Sequence, residues 1–169
     1  KKYGIGKEDT IFEKLKVFIE KTHLNVVLLP IGMVALHEDA IPLKKIYESF
    51  QDSNLANKVI LINNNTIFDT MSIIANSKLF IGTSLHGNVT ALSYGNPSIG
   101  LDSRVIKLND LLKTYSIDQQ AIGIDYEDMD VEMIKALDID RQDLKRNSER
   151  INELVNENFD LIADVLISK

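Results

Sequence analysis

The stretch that decides the fold is Leu79-Phe80-Ile81-Gly82-Thr83-Ser84-Leu85-His86-Gly87-Asn88. The three apolar residues at its start predict a short buried strand, and the Gly-Thr-Ser sequence that follows predicts a tight turn. A helix is predicted next, from about His86 to Tyr94, where a Gly-Asn-Pro sequence ends it. A strand that passes through a glycine turn directly into a helix is typical of α/β proteins with parallel sheets.

The same alternation of strand and helix continues on both sides of this stretch. Strands are predicted at about 24–29, 59–62, 79–81, 98–101 and 120–124, and helices at about 10–22, 39–50, 66–77, 86–94, 105–115 and 141–169. Five alternations at this spacing predict a doubly wound parallel sheet, that is, a Rossmann-like α/β domain. The apolar runs 24–29 and 59–62 predict strands buried on both faces.

Local signals predict how several elements begin. Thr10 and Glu13 fit a capping box for the first helix, Asp39 can cap the second, and Thr66 or Asn65 can cap the third. The acidic run 125–130 predicts a surface loop without a metal site, because its spacing does not match a calcium-binding loop.

Residues 1–169 are predicted to form one domain, and we expect it to be part of a longer protein. A Rossmann-like half opens with its own strand, yet only Lys1–Gly6 stand ahead of the first helix. The helix 141–169 carries an apolar stripe at helical spacing, and we expect this stripe to pack on the parent domain or on a partner domain.

Composition excludes several classes of function. The 169 residues are 44% hydrophobic and 26% charged, enough for one domain with a core. There is no cysteine, and the three histidines, at 23, 37 and 86, have no metal-motif spacing, so no metal is expected. A net charge of −6 without a basic stripe argues against nucleic-acid binding. With no signal peptide and no apolar run of about 18 residues, we expect a cytoplasmic protein without a transmembrane segment.

The turn after the third predicted strand is the candidate ligand site. Ligands of open α/β sheets bind at the carboxyl ends of strands, and a helix N-terminus offers unpaired N–H groups to an anion. The residues predicted to contact such an anionic ligand, through their backbone or side chains, are Gly82, Thr83, Ser84, Gly87 and Asn88. His86, in the first turn of the helix, can donate a proton to an anionic donor or leaving group.

Structural roles remain open for these residues. Ser84 can serve as a plain helix cap, His86 can hydrogen-bond to a carbonyl, and the glycines can serve close packing of strand and helix. Further candidates are Lys107 and Arg104, which follow the fourth strand. His37 and Glu38 follow the first strand and are either cleft contacts or part of a solvated loop.

From about Asp69 to Lys107 the sequence resembles the polysaccharide pyruvyl transferase family. The string Ala75–Gly87 ends in Leu-His-Gly, the string Ala91–Leu101 contains Gly-Asn-Pro, and Lys107 follows. These match the family order of a strand, a small-residue turn with Leu-His-Gly, a short helix, a Gly-x-Pro stop and a further strand. The family histidine maps onto His86, whereas Ser84 stands where many members have arginine.

The resemblance implies the C-terminal, donor-side half of a GT-B fold, with the site in the cleft towards an N-terminal domain. It implies phosphoenolpyruvate as co-substrate without a cofactor, and a saccharide acceptor, so that a cell-surface polysaccharide receives a pyruvyl ketal. A lipid-linked acceptor would bring the enzyme to the membrane periphery, and the isolated domain is expected to be inactive. Two alternatives stay open: a GT-B glycosyltransferase that uses a nucleotide sugar, and a non-catalytic Rossmann-like binding module in which His86 is buried.

Overall fold

The computed structural model describes residues 5–31 and 40–167. Within them, α-helices and short β-strands alternate along the chain. The elements are α1 (Glu8–Thr22), β1 (Val26–Leu28), α2 (Ala40–Gln51), β2 (Val59–Leu61), α3 (Ile67–Ala75), β3 (Phe80–Gly82), α4 (Leu85–Ser93), β4 (Ser98–Leu101), α5 (Ile106–Tyr115), β5 (Ile122–Ile124), α6 (Met129–Leu137) and α7 (Arg141–Ile167).

In the part of the chain that the structure describes, the strand pairs are parallel and form two sheets. β1 pairs with β2, and β3, β4 and β5 pair in that order. The Rossmann-like α/β class predicted from the sequence is therefore confirmed. Within the described residues, its strands hydrogen-bond as a pair and a triplet.

Helices cover the sheets in two layers. α1 packs against α2 and α6, whereas α4 packs against α3 and α5. The larger core lies under the first layer and joins Leu15, Phe18 and Ile19 of α1 to Ile46 and Phe50 of α2 and to Met129 and Met133 of α6. The smaller core lies under the second layer, where Leu92 of α4 meets Leu108 and Leu112 of α5. Burial of these side chains supplies the main driving force for folding.

Exposure corrects the prediction that β1 and β2 are buried on both faces. Val27 is 42% and Ile60 is 51% exposed, and the two residues are register partners on neighbouring strands. Leu28 and Val59, in contrast, are buried in the larger core. α1 and α2 thus cover one face of this pair, while its opposite face keeps an exposed apolar pair.

Helix starts confirm one capping prediction and contradict another. Thr66 caps α3: its hydroxyl accepts from the Asp69 N–H, and the Asp69 carboxylate accepts from the Thr66 N–H. The capping box at Thr10 is wrong, because α1 begins at Glu8. The acidic residues Glu8 and Asp9 stabilise that first turn through the helix dipole instead. Asp39 lies outside the described residues.

The prediction that the acidic run 125–130 is a surface loop is wrong. Residues Tyr126–Asp128 form a 3-10 turn, and α6 begins at Met129. Asp130 is buried rather than solvated, and its carboxylate lies 2.9 Å from the Lys14 ammonium of α1. The run is thus the start of an amphipathic helix that packs on α1.

Within the described residues, the last helix is buried against the rest of the domain near its start. Leu144 is buried, the Asn147 amide donates to the Tyr115 carbonyl, and the Ser148 hydroxyl donates to the Ser93 carbonyl. The apolar side chains further along are exposed: Leu154, Val155, Phe159, Leu161, Ile162, Val165, Leu166 and Ile167. The predicted packing of this stripe on another domain stays a prediction.

Candidate functional site

The turn between β3 and α4 is shaped by a serine cap. The Ser84 hydroxyl accepts a hydrogen bond of 3.2 Å from the Gly87 N–H, and the Ser84 carbonyl accepts one of 3.1 Å from the Asn88 N–H. Ser84 is therefore the N-cap residue of α4. The cap leaves the N–H groups of Leu85 and His86 without a partner inside the helix, at its positive end.

The side chain of Asn88 stabilises this turn through hydrogen bonds. Its side chain is fully buried and donates to the carbonyls of Gly82 at 3.2 Å and Ser84 at 2.8 Å. Its oxygen accepts a hydrogen bond of 2.6 Å from the buried hydroxyl of Ser98 on β4. The donor contact predicted for the Asn88 side chain is therefore corrected to a positioning role, because all of its polar groups bind within the protein.

Gly87 serves close packing. A Cβ atom there would lie 2.4 Å from the ring of Phe80 and 2.8 Å from the methyl group of Ile31. At Gly82 the same Phe80 ring would be 3.4 Å away, an ordinary contact. The glycine at 87 thus lets Phe80 of β3, and Ile31 beyond β1, lie directly against the start of α4.

His86 is exposed in the first turn of α4. None of the described residues hydrogen-bonds to its ring, and its own carbonyl accepts from the Thr90 hydroxyl. The ring is thus available to a ligand, and the burial expected of a purely structural histidine is contradicted. Thr83, beside it, is half-buried.

The loop after β4 places the cationic side chain of Arg104 beside a buried carboxylate. Asp102 has a left-handed backbone (φ 72°) and a side chain that is only 4% exposed. Arg104 binds it twice, with 2.7 Å from Nε to Oδ1 and 2.5 Å from an Nη to Oδ2. Hydrogen bonds from Arg104 lower the pKa of Asp102, although partial burial opposes the shift. Lys107 is exposed in the first turn of α5.

Tyr126 completes this cluster from inside the core. Burial and the nearby Asp102 charge raise the pKa of its phenol, so the hydroxyl stays protonated. The hydroxyl lies close enough to feel that charge, although no hydrogen bond of good geometry joins them. Asp102, Arg104 and Tyr126 thus form one cluster at the end of β4.

Sheet register brings the two loops to the same edge. β3 and β4 are parallel neighbours with Gly82 opposite Gly100, so both strands end at one side of the sheet. Thr83 and Ser84 after β3, with His86 in the first turn of α4, therefore share an edge with Arg104 after β4 and with Lys107 in the first turn of α5. His37 and Glu38 lie outside the described residues.

A cavity of about 510 Å³ opens beside this edge, between the two sheets. Gly82, Thr83 and Ser84 belong to its lining, whereas His86 does not. The rest of the lining is mostly apolar.

Within residues 5–31 and 40–167, no three His, Asp or Glu side chains are grouped to hold a metal ion. No helix in that part of the chain has the length and apolar character of a membrane span.

Sequence reasoning missed the partners that fix the site. The Asn88–Ser98 bond joins residues ten positions apart, and nothing in the local pattern marks it. The Asp102–Arg104 pair had a signal, since an aspartate after a strand often binds backbone or side chains two residues later. Indeed, the Asp102 carboxylate also accepts from the Arg104 N–H at 3.0 Å.

Comparison with known proteins identifies the family. The family model described as polysaccharide pyruvyl transferase matches residues 6–104, more than half of the chain. Searches of curated proteins and of solved structures give no significant match. The matched residues include β1 to β4, the capped turn before α4, and His86. The chain therefore belongs to the polysaccharide pyruvyl transferase family.

Proposed function

We propose that this domain binds phosphoenolpyruvate at the β3–α4 turn and helps to transfer its pyruvyl group to a saccharide of a cell-surface polysaccharide. The observation that carries the proposal is the exposed His86 in the first turn of a capped helix, at the carboxyl end of β3. That turn lies within the segment matched by the family.

Anion binding would use the positive end of α4. The N–H groups of Leu85 and His86 and the Thr83 hydroxyl can donate to a phosphate. Lys107, at the start of α5 on the same edge, adds a mobile positive charge that can pair with the donor's carboxylate. Arg104 is held against Asp102. Its role would be to contribute to the electrostatic potential at the carboxyl ends of β3 and β4, rather than to clamp the donor.

The proposed reaction needs one proton at carbon and a leaving phosphate. Protonation of the donor's methylene carbon makes a methyl group and places positive charge on C2, to which one sugar hydroxyl adds. The C2–O bond to phosphate then breaks, and a second sugar hydroxyl adds to form the ketal. Of the two hydroxyl protons, one balances the proton now on carbon and the other leaves with phosphate.

His86 is the residue that we assign to proton delivery. An imidazole ring can serve both as a proton donor and as a proton acceptor, so it can give and regain a proton in each turnover. The unpaired N–H groups of α4 would stabilise the phosphate as its negative charge grows. We expect the acceptor saccharide to be bound with the help of an N-terminal domain that forms the other wall of the cleft.

Calorimetric titration with phosphoenolpyruvate tests the proposal, with a uridine diphosphate sugar in parallel. We expect saturable phosphoenolpyruvate binding that His86→Ala weakens about tenfold, a loss of about 1.4 kcal/mol. The matched control is His23→Asn. His23 is also exposed, but it ends α1 at the opposite edge of the sheet, in a left-handed conformation that asparagine tolerates.

Each outcome has a definite meaning. If His86→Ala and His23→Asn weaken phosphoenolpyruvate binding equally, His86 is not part of the donor site. Saturable binding of the nucleotide sugar in place of phosphoenolpyruvate would support the glycosyltransferase alternative. Binding of neither ligand would contradict a donor site on this domain.

A further inference from the structure

The loop between β2 and α3 is an uncharged, exposed segment that the donor site does not use. Residues 62–68 read Ile-Asn-Asn-Asn-Thr-Ile-Phe, in a chain of which 26% of the residues are charged. Asn63 and Asn64 are exposed, and no described residue hydrogen-bonds to either side chain. Ile67 is 70% and Phe68 is 78% exposed in the first turn of α3. Exposed apolar surface beside a few polar groups is typical of ligand sites.

The backbone of this loop is held in place although its side chains at 63, 64 and 68 face solvent. The Asn65 amide donates to the Pro30 carbonyl at 3.3 Å and to the Thr70 hydroxyl at 2.5 Å. Thr66 caps α3, and Asn64 has a left-handed backbone with φ 58°. Asparagine tolerates this conformation better than most residues do. The exposed amides are therefore presented by an ordered turn.

The same hydrogen bonds join the loop to the start of α4. Ile31 lies against that helix, because a Cβ atom at Gly87 would come within 2.8 Å of the Ile31 methyl group. Pro30, the residue before it, is the one whose carbonyl accepts from Asn65. Residues 30–31 thus bridge the β2–α3 loop and the helical turn that carries His86.

The two helices place Phe68 level with His86. α3 and α4 are each nine residues long and pack against each other. Just after α4, the Asn96 amide donates to the carbonyls of Ile74 and Ala75 at the end of α3. Packed helices of equal length that meet at their carboxyl ends also begin at the same level, about 8–10 Å apart. Phe68 and His86, each the second residue of its helix, therefore stand on neighbouring first turns.

We propose that the side chains of Asn63, Asn64 and Phe68 form the part of this domain that binds the acceptor saccharide. The inference rests on the proposed function and gives its second substrate a place. A saccharide ring has a face of C–H groups, on which a phenyl ring can stack, and a rim of hydroxyl groups. Side-chain amides can donate to these hydroxyls and accept from them. An anionic ligand would instead require a cation, which residues 62–68 lack.

The order of the helices separates the two substrates. α4 packs against both α3 and α5, so its first turn has a neighbour on either helix. The uncharged loop and Phe68 open α3, whereas Lys107 lies in the first turn of α5. A neutral sugar beside α3 and an anionic donor beside α5 would each meet matching chemistry, with His86 within reach of both.

A nuclear magnetic resonance titration of the isotope-labelled domain tests the proposal. The probes are three neutral hexosides that differ in stereochemistry: methyl glucopyranoside, methyl galactopyranoside and methyl mannopyranoside. We expect at least one of them to shift the resonances of Asn63, Asn64, Phe68 and His86 in a saturable way. The Kd should be millimolar, because one sugar ring makes a small contact. Intermolecular Overhauser effects should join the C–H protons of the sugar to the Phe68 ring.

Two variants and one control assign the binding to these side chains. Phe68→Ala should weaken hexoside binding about fivefold or more and leave phosphoenolpyruvate binding unchanged. Asn64→Gly should also weaken hexoside binding, because glycine keeps the left-handed backbone and removes the amide. The matched control is Phe159→Ala, which removes a ring that is 67% exposed on α7. All three side chains are exposed, so the urea midpoint of unfolding should stay close to that of the parent.

The outcomes distinguish this inference from the donor site. Phosphoenolpyruvate binding with no saturable shift by any hexoside, well above millimolar concentration, would overturn the inference and leave the donor site standing. Equal weakening by Phe68→Ala and Phe159→Ala would overturn it too. So would shifts at Phe68 that do not extend to His86, because the sugar would then lie away from the reacting edge. Hexoside binding at residues 63–68 without phosphoenolpyruvate binding would support the saccharide surface and contradict the donor site.

Discussion

The hydroxyl of Ser98 on β4 donates a hydrogen bond of 2.6 Å to the side-chain oxygen of Asn88 on α4, and both side chains are buried. The same asparagine binds the carbonyls of Gly82 and Ser84. One side chain thus ties together the end of β3, the cap of α4 and the next strand. The first turn of α4, which carries His86, is held in place by this network.

Asn88→Ala should destabilise the fold more than Ser98→Ala. The first change leaves two carbonyls and one hydroxyl without this partner, whereas the second leaves only one amide oxygen. A buried polar group without a partner costs about 1–3 kcal/mol, so we expect a difference of at least about 1 kcal/mol between the variants. Urea unfolding measures it. A larger loss for Ser98→Ala would show that the network does not centre on Asn88.

Gly87→Ala should destabilise the protein, whereas Gly82→Ala should be nearly neutral. The added methyl group at 87 would lie 2.4 Å from Phe80, against 3.4 Å at 82. Overpacking of this kind costs about 1–3 kcal/mol, which outweighs the helix propensity that alanine gains. Thermal unfolding of the two variants provides the comparison. If both behave alike, the contact of Phe80 with α4 is not a constraint on the turn.

Substitutions of Ser84 separate capping from anion binding. Ser84→Ala should lower stability by about 1 kcal/mol, because the Gly87 N–H loses its acceptor. Ser84→Asp should retain the cap, since aspartate caps well, but its charge should repel an anionic donor. Unfolding and phosphoenolpyruvate titration of both variants test this. Undiminished donor binding by Ser84→Asp would move the anion away from the start of α4.

The Asp102–Arg104 pair should make stability depend on acidic pH. Hydrogen bonds from Arg104 lower the folded-state pKa of Asp102 below its ordinary 3.8. The contribution of this carboxylate to stability is therefore present above pH 3.8 and is lost as the pH falls through the lower folded-state value.

Asp102→Asn is the matched variant, because asparagine also tolerates the left-handed backbone at this position. We expect it to be less stable than the parent at pH 6, and the gap to narrow as the pH falls below 3.8. Denaturant unfolding between pH 6 and pH 2 follows this difference. A stability difference between the two proteins that stays constant from pH 6 to pH 2 would show that the charge of the Asp102 carboxylate does not stabilise the loop.

Local patterns predicted those elements whose causes are local. The apolar run 98–101 gave the bounds of β4, and Thr66, one of the two predicted caps, gave the start of α3, because a strand run and a helix cap depend on neighbouring residues. For the same reason, the local sequence was enough to predict the turn at Ser84 and an exposed His86 side chain. The resemblance to a family rested on that same stretch, and the family match confirms it.

Features set by distant contacts were not predictable in this way. The division of the sheet depends on which strand edges meet, and the exposure of Val27 and Ile60 depends on which face the helices cover. The start of α6 was hidden because Asp130 reads as a solvated residue until its ion pair with Lys14 of α1 is known. Asn88 of α4 looked like a ligand contact for the same reason, since its partner Ser98 is on β4.

The two anchors of α7 have a mechanical consequence. Ser148 is fastened to the carbonyl of Ser93 at the end of α4, and Asn147 to that of Tyr115 at the end of α5. These are the helices whose opposite ends carry His86 and Lys107. With 27 residues, α7 is about 40 Å long, so a three-degree tilt passed on by either helix would swing its far end by about 2 Å. Because α7 is held near its start by α4 and α5, a small movement of either helix becomes a larger movement at the far end of α7.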